Sequence, residues 1–173
     1  MHGSRVVVVA EPGEHAGEEA DAAVTATPGC VLAVQVADCA PVALMAGSVA
    51  GTASVIAVAH GGWRGIAAGI LPATVAAMRE LGAIGIRAVV GPCIHAGCYE
   101  FGAADLAPFP AEARATTSQG RPALDVPAAV VASLRDAGVV DVDVSPVCTA
   151  CSDDHWSFRR SGDDARQAVV AWM

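Results

Sequence analysis

Two short blocks carry the residues best suited to chemistry. Asp38 and Cys39 come directly after the apolar run CVLAVQV, and His60 ends a second apolar run, VIAVA, before the glycine-rich stretch GGWRG. Cysteine and histidine at the ends of strands in one sheet can come close together, where they share a metal or form a nucleophile and base pair. The alternative is a buried thiol and a hydrogen-bonded histidine, since free cysteine is among the most buried residue types.

Three further residues extend this candidate site. A catalytic zinc takes three protein ligands, and His2 would be the third if the first strand neighbours those of Cys39 and His60. Arg64 can bind phosphate or carboxylate with two hydrogen bonds, and Trp63 offers a stacking face, although both can also be surface residues. Asp38 is either a turn or capping carboxylate, an orienting group for a ligand, or a general base.

A second cysteine group gives a rival metal site. Cys93 and Cys98, and then Cys148 and Cys151, have the pair spacings of a structural zinc site, although about fifty residues separate the two pairs. The CTAC motif can also be read as a redox pair, but the strand before it offers no helix N-terminus to lower a thiol pKa. Near the C-terminus, Arg159, Arg160 and Arg166 form a basic cluster that is either an anion site or a solvated face.

The apolar pattern predicts which elements position these residues. Strands are predicted over residues 5–10, 30–36, 42–45, 55–59, 86–90, 142–147 and 167–172. A rigid transition from strand to loop is predicted at residues 38–41, just before the strand at 42–45. Helices are predicted over 66–81, with a kink or a new start at Pro72, and over 126–137, with Asp125 as N-cap. Strands mixed with two main helices predict one α/β (α+β) domain over residues 1–173, a sandwich of mixed β-sheets flanked by helices.

Composition excludes several classes of function. The net charge is −8 and there is no basic run, which argues against a nucleic-acid partner. The chain has no apolar run that could span a membrane and no signal peptide, so we expect a cytoplasmic protein that acts without a membrane. Without a secretory signal, its six cysteines favour metal binding or catalysis over disulfides.

Four blocks, in order, resemble the YfiH family, also called the multicopper polyphenol oxidase or laccase-domain family. They read VADCAPV, AHGGWRG, GPCIHAGCYEFG and CTACSDDHWSFRRSGDDARQAVV. The chain departs mildly from the family pattern at Gly61, His95 and Phe101. Family members carry a further segment before the block that contains His2, so the resemblance implies an N-terminally shortened domain.

The resemblance implies a function and a ligand set. It implies zinc bound by His2, Cys39 and His60, and phosphorolysis of purine nucleosides, including methylthioadenosine, with adenosine deamination as a second activity. On this reading Arg64 would hold phosphate, Asp38 would move a proton during deamination, and the protein would be a monomer or a homodimer.

Two alternatives to this function stay open. The older family assignment implies a copper-dependent polyphenol oxidase, and the shortened N-terminus allows an inactive binding module. Laccase-type oxidation needs several copper ions and many histidines, whereas this chain has five in total. A His, Cys and His set with one open position suits Zn²⁺ better, so the residues favour nucleoside chemistry.

Overall fold

The computed structural model describes residues 3–48 and 55–173, which form a mixed α/β domain. Its strands are β1 (Val6–Val8), β2 (Ala22–Thr25), β3 (Val31–Val36), β4 (Ala40–Ser48), β5 (Val55–Gly61), β6 (Ala83–Val90), β7 (Arg114–Thr116), β8 (Pro122–Leu124), β9 (Asp141–Val144) and β10 (Gln167–Trp172). Its helices are α1 (Trp63–Ala67), α2 (Ile70–Glu80), α3 (Val126–Asp136) and α4 (Phe158–Ser161). The expected fold class, a mixed α/β domain with several sheets, is confirmed.

Six strands form the central sheet in the order β1-β2-β5-β4-β6-β9. The two outer pairs, β1 with β2 and β6 with β9, are parallel, and the three inner pairs are antiparallel. β3 and β10 form a separate antiparallel pair, as do β7 and β8. The sheet is therefore mixed, as the sequence predicts.

Both faces of the central sheet are covered, which explains the continuous apolar run of β5. Val55, Ala57 and Ala59 pack on the side of α1, α2 and α3, whereas Ile56 and Val58 pack under the β3–β10 pair. A strand buried on both faces reads as an unbroken hydrophobic run. The domain is thus three layers: helices, the six-stranded sheet, and the β3–β10 pair.

Most predicted elements are present, and a helix starts near Pro72, which was one of the two predicted alternatives. β6 starts earlier and β9 ends earlier than predicted, and β7, β8 and α4 were not predicted. The helix predicted over 66–81 is two helices, separated by Gly69 at φ +83°, a left-handed conformation that glycine adopts without strain. Pro72 lies in the first turn of α2 and does not kink it. At this position a backbone N–H would have no acceptor within the helix, so proline, which lacks the N–H, removes no hydrogen bond. β4 begins at Ala40, so it includes Pro41 rather than starting after it, and β2 was not predicted.

The second predicted helix is confirmed as α3. The carboxylate of Asp125 accepts a hydrogen bond from the backbone N–H of Ala128 at 3.0 Å, which is the expected N-cap. No helix in the described ranges has the length and apolar character needed to cross a membrane.

The strand directions bring many chain segments to one end of the central sheet. β5, β6 and β9 finish there, and β1, β2 and β4 begin there. We call this the Cys39 end of the sheet, since Cys39 immediately precedes β4. The loops that carry the candidate chemistry all start or finish at this end.

Candidate active site

Cys39 and His60 meet at the Cys39 end of the sheet, as the sequence predicts. In the antiparallel β4–β5 pair, Ala40 lies opposite Gly61 and Pro41 opposite His60, so Cys39 is one residue beyond the last pair. Both residues are half-buried and line the same cavity, which has a volume of about 840 Å³. Pockets for small molecules have volumes of about 300–1,000 Å³, so the cavity can hold a ligand of that class.

The predicted third donor, His2, lies outside the described residues, but its neighbour Gly3 is well placed. The backbone N–H of Gly3 donates to the Asp21 carboxylate at 2.9 Å, while the Asp21 carbonyl accepts from the His60 N–H at 2.7 Å. A Cβ on Gly65 would lie only 2.7 Å from the Gly3 carbonyl oxygen, so the last glycine of GGWRG lets these two segments pack together. Asp21 therefore ties the start of the chain to the strand that carries His60.

Asp38 is the most constrained residue of the site. It is 7% exposed and has φ +76°, a left-handed conformation that Asp adopts more readily than most residues. Its two carboxylate oxygens accept hydrogen bonds from the Thr149 hydroxyl and the Arg159 backbone N–H, each at 2.7 Å. Its carbonyl accepts from the Ile94 N–H at 2.8 Å. Asp38 thus joins four separate segments of chain beneath the cavity.

The cavity also presents aromatic and basic side chains. Trp63, Tyr99 and Phe158 line it, together with Arg159 and Arg166. The Arg159 guanidinium lies 4.9 Å from the centre of the Tyr99 ring, a cation–π distance. These two arginines line the cavity together with the acidic residues Glu18 and Asp38, in a protein whose net charge is −8.

Arg64, predicted to hold phosphate, is not among the residues that line this cavity. Its guanidinium lies 4.2 Å from the centre of the Trp63 ring, and the residue is exposed. It follows Trp63 on the first turn of α1, where successive side chains point in different directions, so only Trp63 reaches the cavity.

The environment of Cys39 disfavours its ionised form. Burial, and then the negative charge of Asp38, raise the pKa of the Cys39 thiol to about 11. Unless a metal ion is bound to it, the Cys39 thiol therefore stays protonated at neutral pH. A protonated thiol does not suit the nucleophile and base pair considered from the sequence.

The second cysteine group is only partly as predicted. The sulfur atoms of Cys98, Cys148 and Cys151 lie within 4.8 Å of one another, whereas Cys93 is fully buried in the core next to α3 and is not part of this group. Although burial raises the pKa of Cys148, hydrogen bonds from the backbone of His95 and the side chain of Cys151 outweigh it, so the pKa is lowered overall.

Comparison with known proteins identifies the family. The sequence pattern described as "Multi-copper polyphenol oxidoreductase laccase" matches residues 1–173, the whole chain. This chain belongs to that family. The resemblance to the YfiH family is confirmed by a solved structure, the hypothetical protein YfiH of Bacillus licheniformis, which is 27% identical with a TM-score of 0.84, covering 98% of this chain and 70% of that one.

Other members of the laccase-domain family are closer in sequence. A protein of Streptomyces coelicolor named purine nucleoside phosphorylase is 45% identical over 179 residues, which cover 100% of this chain and 72% of that protein. One of the same name from Deinococcus radiodurans is 41% identical over 99% of this chain and 66% of its own length. The Neisseria meningitidis protein NMB0706 has a solved structure with 34% identity and a TM-score of 0.83, covering all of this chain and 72% of that one.

Sequence reasoning missed part of the cavity wall. Tyr99 and Phe158 were not singled out, and Arg159 and Arg166 were noted only as a basic cluster. Their positions depend on the loops that follow β6 and β9, for which hydrophobic periodicity gives no signal. One feature of the sequence could have identified these four residues: all of them fall inside the two long blocks that resemble the family.

The contacts of Asp38 predict its effect on stability. The Asp38→Ala variant leaves the Thr149 hydroxyl and the Arg159 N–H unpaired and places alanine at positive φ, so the free energy of unfolding should fall by about 3 kcal/mol. Asp38→Asn should lose less, because asparagine tolerates this backbone conformation and can still accept from Thr149. Urea unfolding measures both changes.

The matched control is Asp164→Ala, which removes an exposed carboxylate from the C-terminal loop. If Asp38→Ala unfolded at the same urea concentration as this control, the carboxylate of Asp38 would not hold the cavity loops together.

Proposed function

We propose that this chain catalyses the phosphorolysis of purine nucleosides, with Zn²⁺ as its cofactor. The observation that carries the proposal is that one cavity combines Cys39 and His60, three aromatic side chains, and the guanidinium groups of Arg159 and Arg166. These are the parts needed to hold a metal, a flat base and an anion. The proposal is also supported by the relatives of the laccase-domain family that are named purine nucleoside phosphorylase.

The donors at the cavity fit zinc. A cysteine sulfur and an imidazole, with His2 as the third donor of the predicted set, match the soft and borderline ligands of a catalytic zinc. When bound, zinc supplies Lewis-acid polarisation of substrate or water. Asp21 bonds both Gly3, the residue that follows His2 in the chain, and the backbone of His60, which supports the inclusion of His2 in the predicted set.

Arg159 is the best-placed residue to hold phosphate. Its backbone is fixed by Asp38, its side chain lies against Tyr99 in the cavity wall, and Arg166 adds a second positive charge. In phosphorolysis, a phosphate oxygen forms a bond to C1′ of the ribose while the bond from C1′ to the base nitrogen breaks. The products are ribose 1-phosphate and the free base, which takes up a proton. The arginines would orient the anionic nucleophile for this attack.

The aromatic side chains would bind the purine. Trp63 is held in an edge-to-face contact with Phe101, whose ring centre is 5.1 Å away, and Tyr99 packs on the same Phe101 at 5.4 Å. This cluster keeps the faces of the cavity wall rigid. Flat π-systems suit a purine ring through offset stacking.

The proposed activity includes two more specific reactions, the deamination of adenosine and the phosphorolysis of methylthioadenosine. Both use a purine nucleoside in the same cavity, and deamination needs water in place of phosphate. For Asp38, predicted to move a proton, the hydrogen bonds on both carboxylate oxygens favour an orienting role.

Polyphenol oxidation by copper has weaker support, despite the name of the family pattern. Among the described residues, the only group of three or more metal-binding side chains is the three-cysteine group, so the histidines at 15, 60, 95 and 155 do not converge. A multicopper centre needs several histidines around neighbouring ions.

Turnover of inosine and adenosine, with and without phosphate, tests the proposal. Inosine should be cleaved to hypoxanthine only when phosphate is present, whereas adenosine should also yield inosine without it. Cys39→Ser should lose the metal of the cavity and at least 99% of both activities, because it removes a zinc ligand. Liquid chromatography of the products and zinc analysis of the same samples measure these outcomes.

The control is Cys30→Ser. Cys30 lies just before β3, is fully buried in the core between the sheets, and does not line the cavity. Absence of nucleoside turnover in a zinc-loaded wild-type protein would contradict the proposal and favour a binding module.

Substitution of the arginines tests which one holds phosphate. Arg159→Met should raise KM for phosphate about tenfold, the effect of losing one charge-assisted hydrogen bond. The backbone N–H that binds Asp38 stays in place, so the fold is retained. Arg64→Met is the matched comparison, since Arg64 is stacked on Trp63 away from the cavity lining. A rise in KM in Arg64→Met alone would assign phosphate binding to Arg64 instead.

A further inference from the structure

Three cysteines form a compact group beside the cavity, outside the proposed catalytic set. Cys98 belongs to the loop after β6, and Cys148 and Cys151 belong to the loop after β9. The sulfur atoms all lie within 4.8 Å of one another, and those of Cys98 and Cys151 are 3.2 Å apart. Cys39 is not part of this group.

The spacing of the sulfur atoms suits a zinc ion. With Zn–S bonds of about 2.3 Å and tetrahedral angles, ligand sulfur atoms are separated by about 3.8 Å. The three sulfur atoms here lie close to that spacing, so small side-chain rotations would bring them onto one ion. Sulfur-only donor sets select zinc and other soft ions over magnesium or calcium.

The backbone around the group is already arranged for a thiolate. The His95 N–H points at the Cys148 sulfur at 3.4 Å, and the Cys151 and Ser152 N–H groups both bond the Cys148 carbonyl at 3.1 Å, which folds the CTAC segment into a tight turn. Donors around a ligand atom fix its orientation. Cys151 is exposed, so an ion can enter from solvent.

The loops are also held together below the group. Cys93 and Cys148 form an isolated parallel bridge that continues the β6–β9 pairing, and the Thr149 N–H bonds the Cys93 carbonyl at 3.1 Å. His95 has a buried ring nitrogen, Nε2, without a hydrogen-bond partner among the described residues. His95 is not among the side chains whose ligand atoms lie within 4.8 Å of one another, and Cys151 is exposed, so the fourth position of a tetrahedral ion is open to solvent.

We propose that Cys98, Cys148 and Cys151 bind a structural Zn²⁺ ion that locks one wall of the cavity. Two of the three ligands adjoin a residue of that wall or its support: Tyr99 follows Cys98 and lines the cavity, and Thr149 follows Cys148 and bonds Asp38. The ion would join the short 3₁₀ helix Ala96–Cys98 to the loop after β9. This site does not rest on the proposed nucleoside chemistry.

Zinc content in a Cys39→Ser background tests this site, because that background removes the cavity metal. After reduction, chelation and reloading with Zn²⁺ alone, Cys39→Ser should retain about one zinc per chain, whereas Cys39→Ser/Cys151→Ser should retain none. Cys39→Ser/Cys30→Ser is the matched control and should retain the ion. Zinc should raise Tm in the first and third proteins but not in the second.

Alkylation of the folded Cys39→Ser protein gives an independent readout. Bound zinc should protect Cys98, Cys148 and Cys151 from iodoacetamide, as mapped by peptide mass spectrometry, and chelation should restore their reactivity. The proposal is overturned if Cys39→Ser binds no zinc, or if Cys39→Ser/Cys151→Ser retains as much zinc as Cys39→Ser.

Discussion

The arrangement of the cavity depends on one buried carboxylate. Asp38 lies at the point where β3 turns toward β4, and its oxygen atoms bind Thr149, Arg159 and Ile94 from three other parts of the chain. A buried charge is costly unless hydrogen bonds compensate it, so the contacts to both carboxylate oxygens stabilise Asp38 in this position. Asp38, with its left-handed backbone, immediately precedes Cys39 in the cavity lining, which links the proposed metal donor to the loop that carries Arg159.

Sheet topology supplies the rest of the arrangement. Antiparallel pairing of β4 with β5 and of β4 with β6 brings the ends of β5 and β6 beside the start of β4. Strand ends can then deliver Cys39 and His60 to the cavity, while loops after β6 and β9 provide its aromatic and basic wall. Rigid strands thus hold the proposed metal donors and loops hold the side chains that would contact substrate, a common division of roles in enzymes.

The sequence predicted the mixed α/β fold, most strands, helix α3 with its Asp125 cap, and the convergence of Cys39 with His60. These features depend on local periodicity and on residues at strand ends. It did not predict the wall formed by Tyr99 and Arg159. Arg159 is placed by the hydrogen bond of its N–H to Asp38, 121 residues away in the chain, and Tyr99 by its contacts with Phe101 and Leu124. Arg64 is adjacent to the site in sequence, but the helical turn of α1 directs it onto Trp63. Zinc binding by His2, Cys39 and His60 stays a prediction.

The central claim is that one cavity holds both a metal and phosphate. Anomalous diffraction at the zinc absorption edge, from crystals grown with Zn²⁺ and inorganic phosphate, tests it most directly. The account predicts a zinc peak bonded to the Cys39 sulfur and a His60 ring nitrogen, with phosphate within hydrogen-bond distance of the Arg159 guanidinium. A cavity without zinc at Cys39 and His60, or phosphate bound away from Arg159 and Arg166, would contradict it.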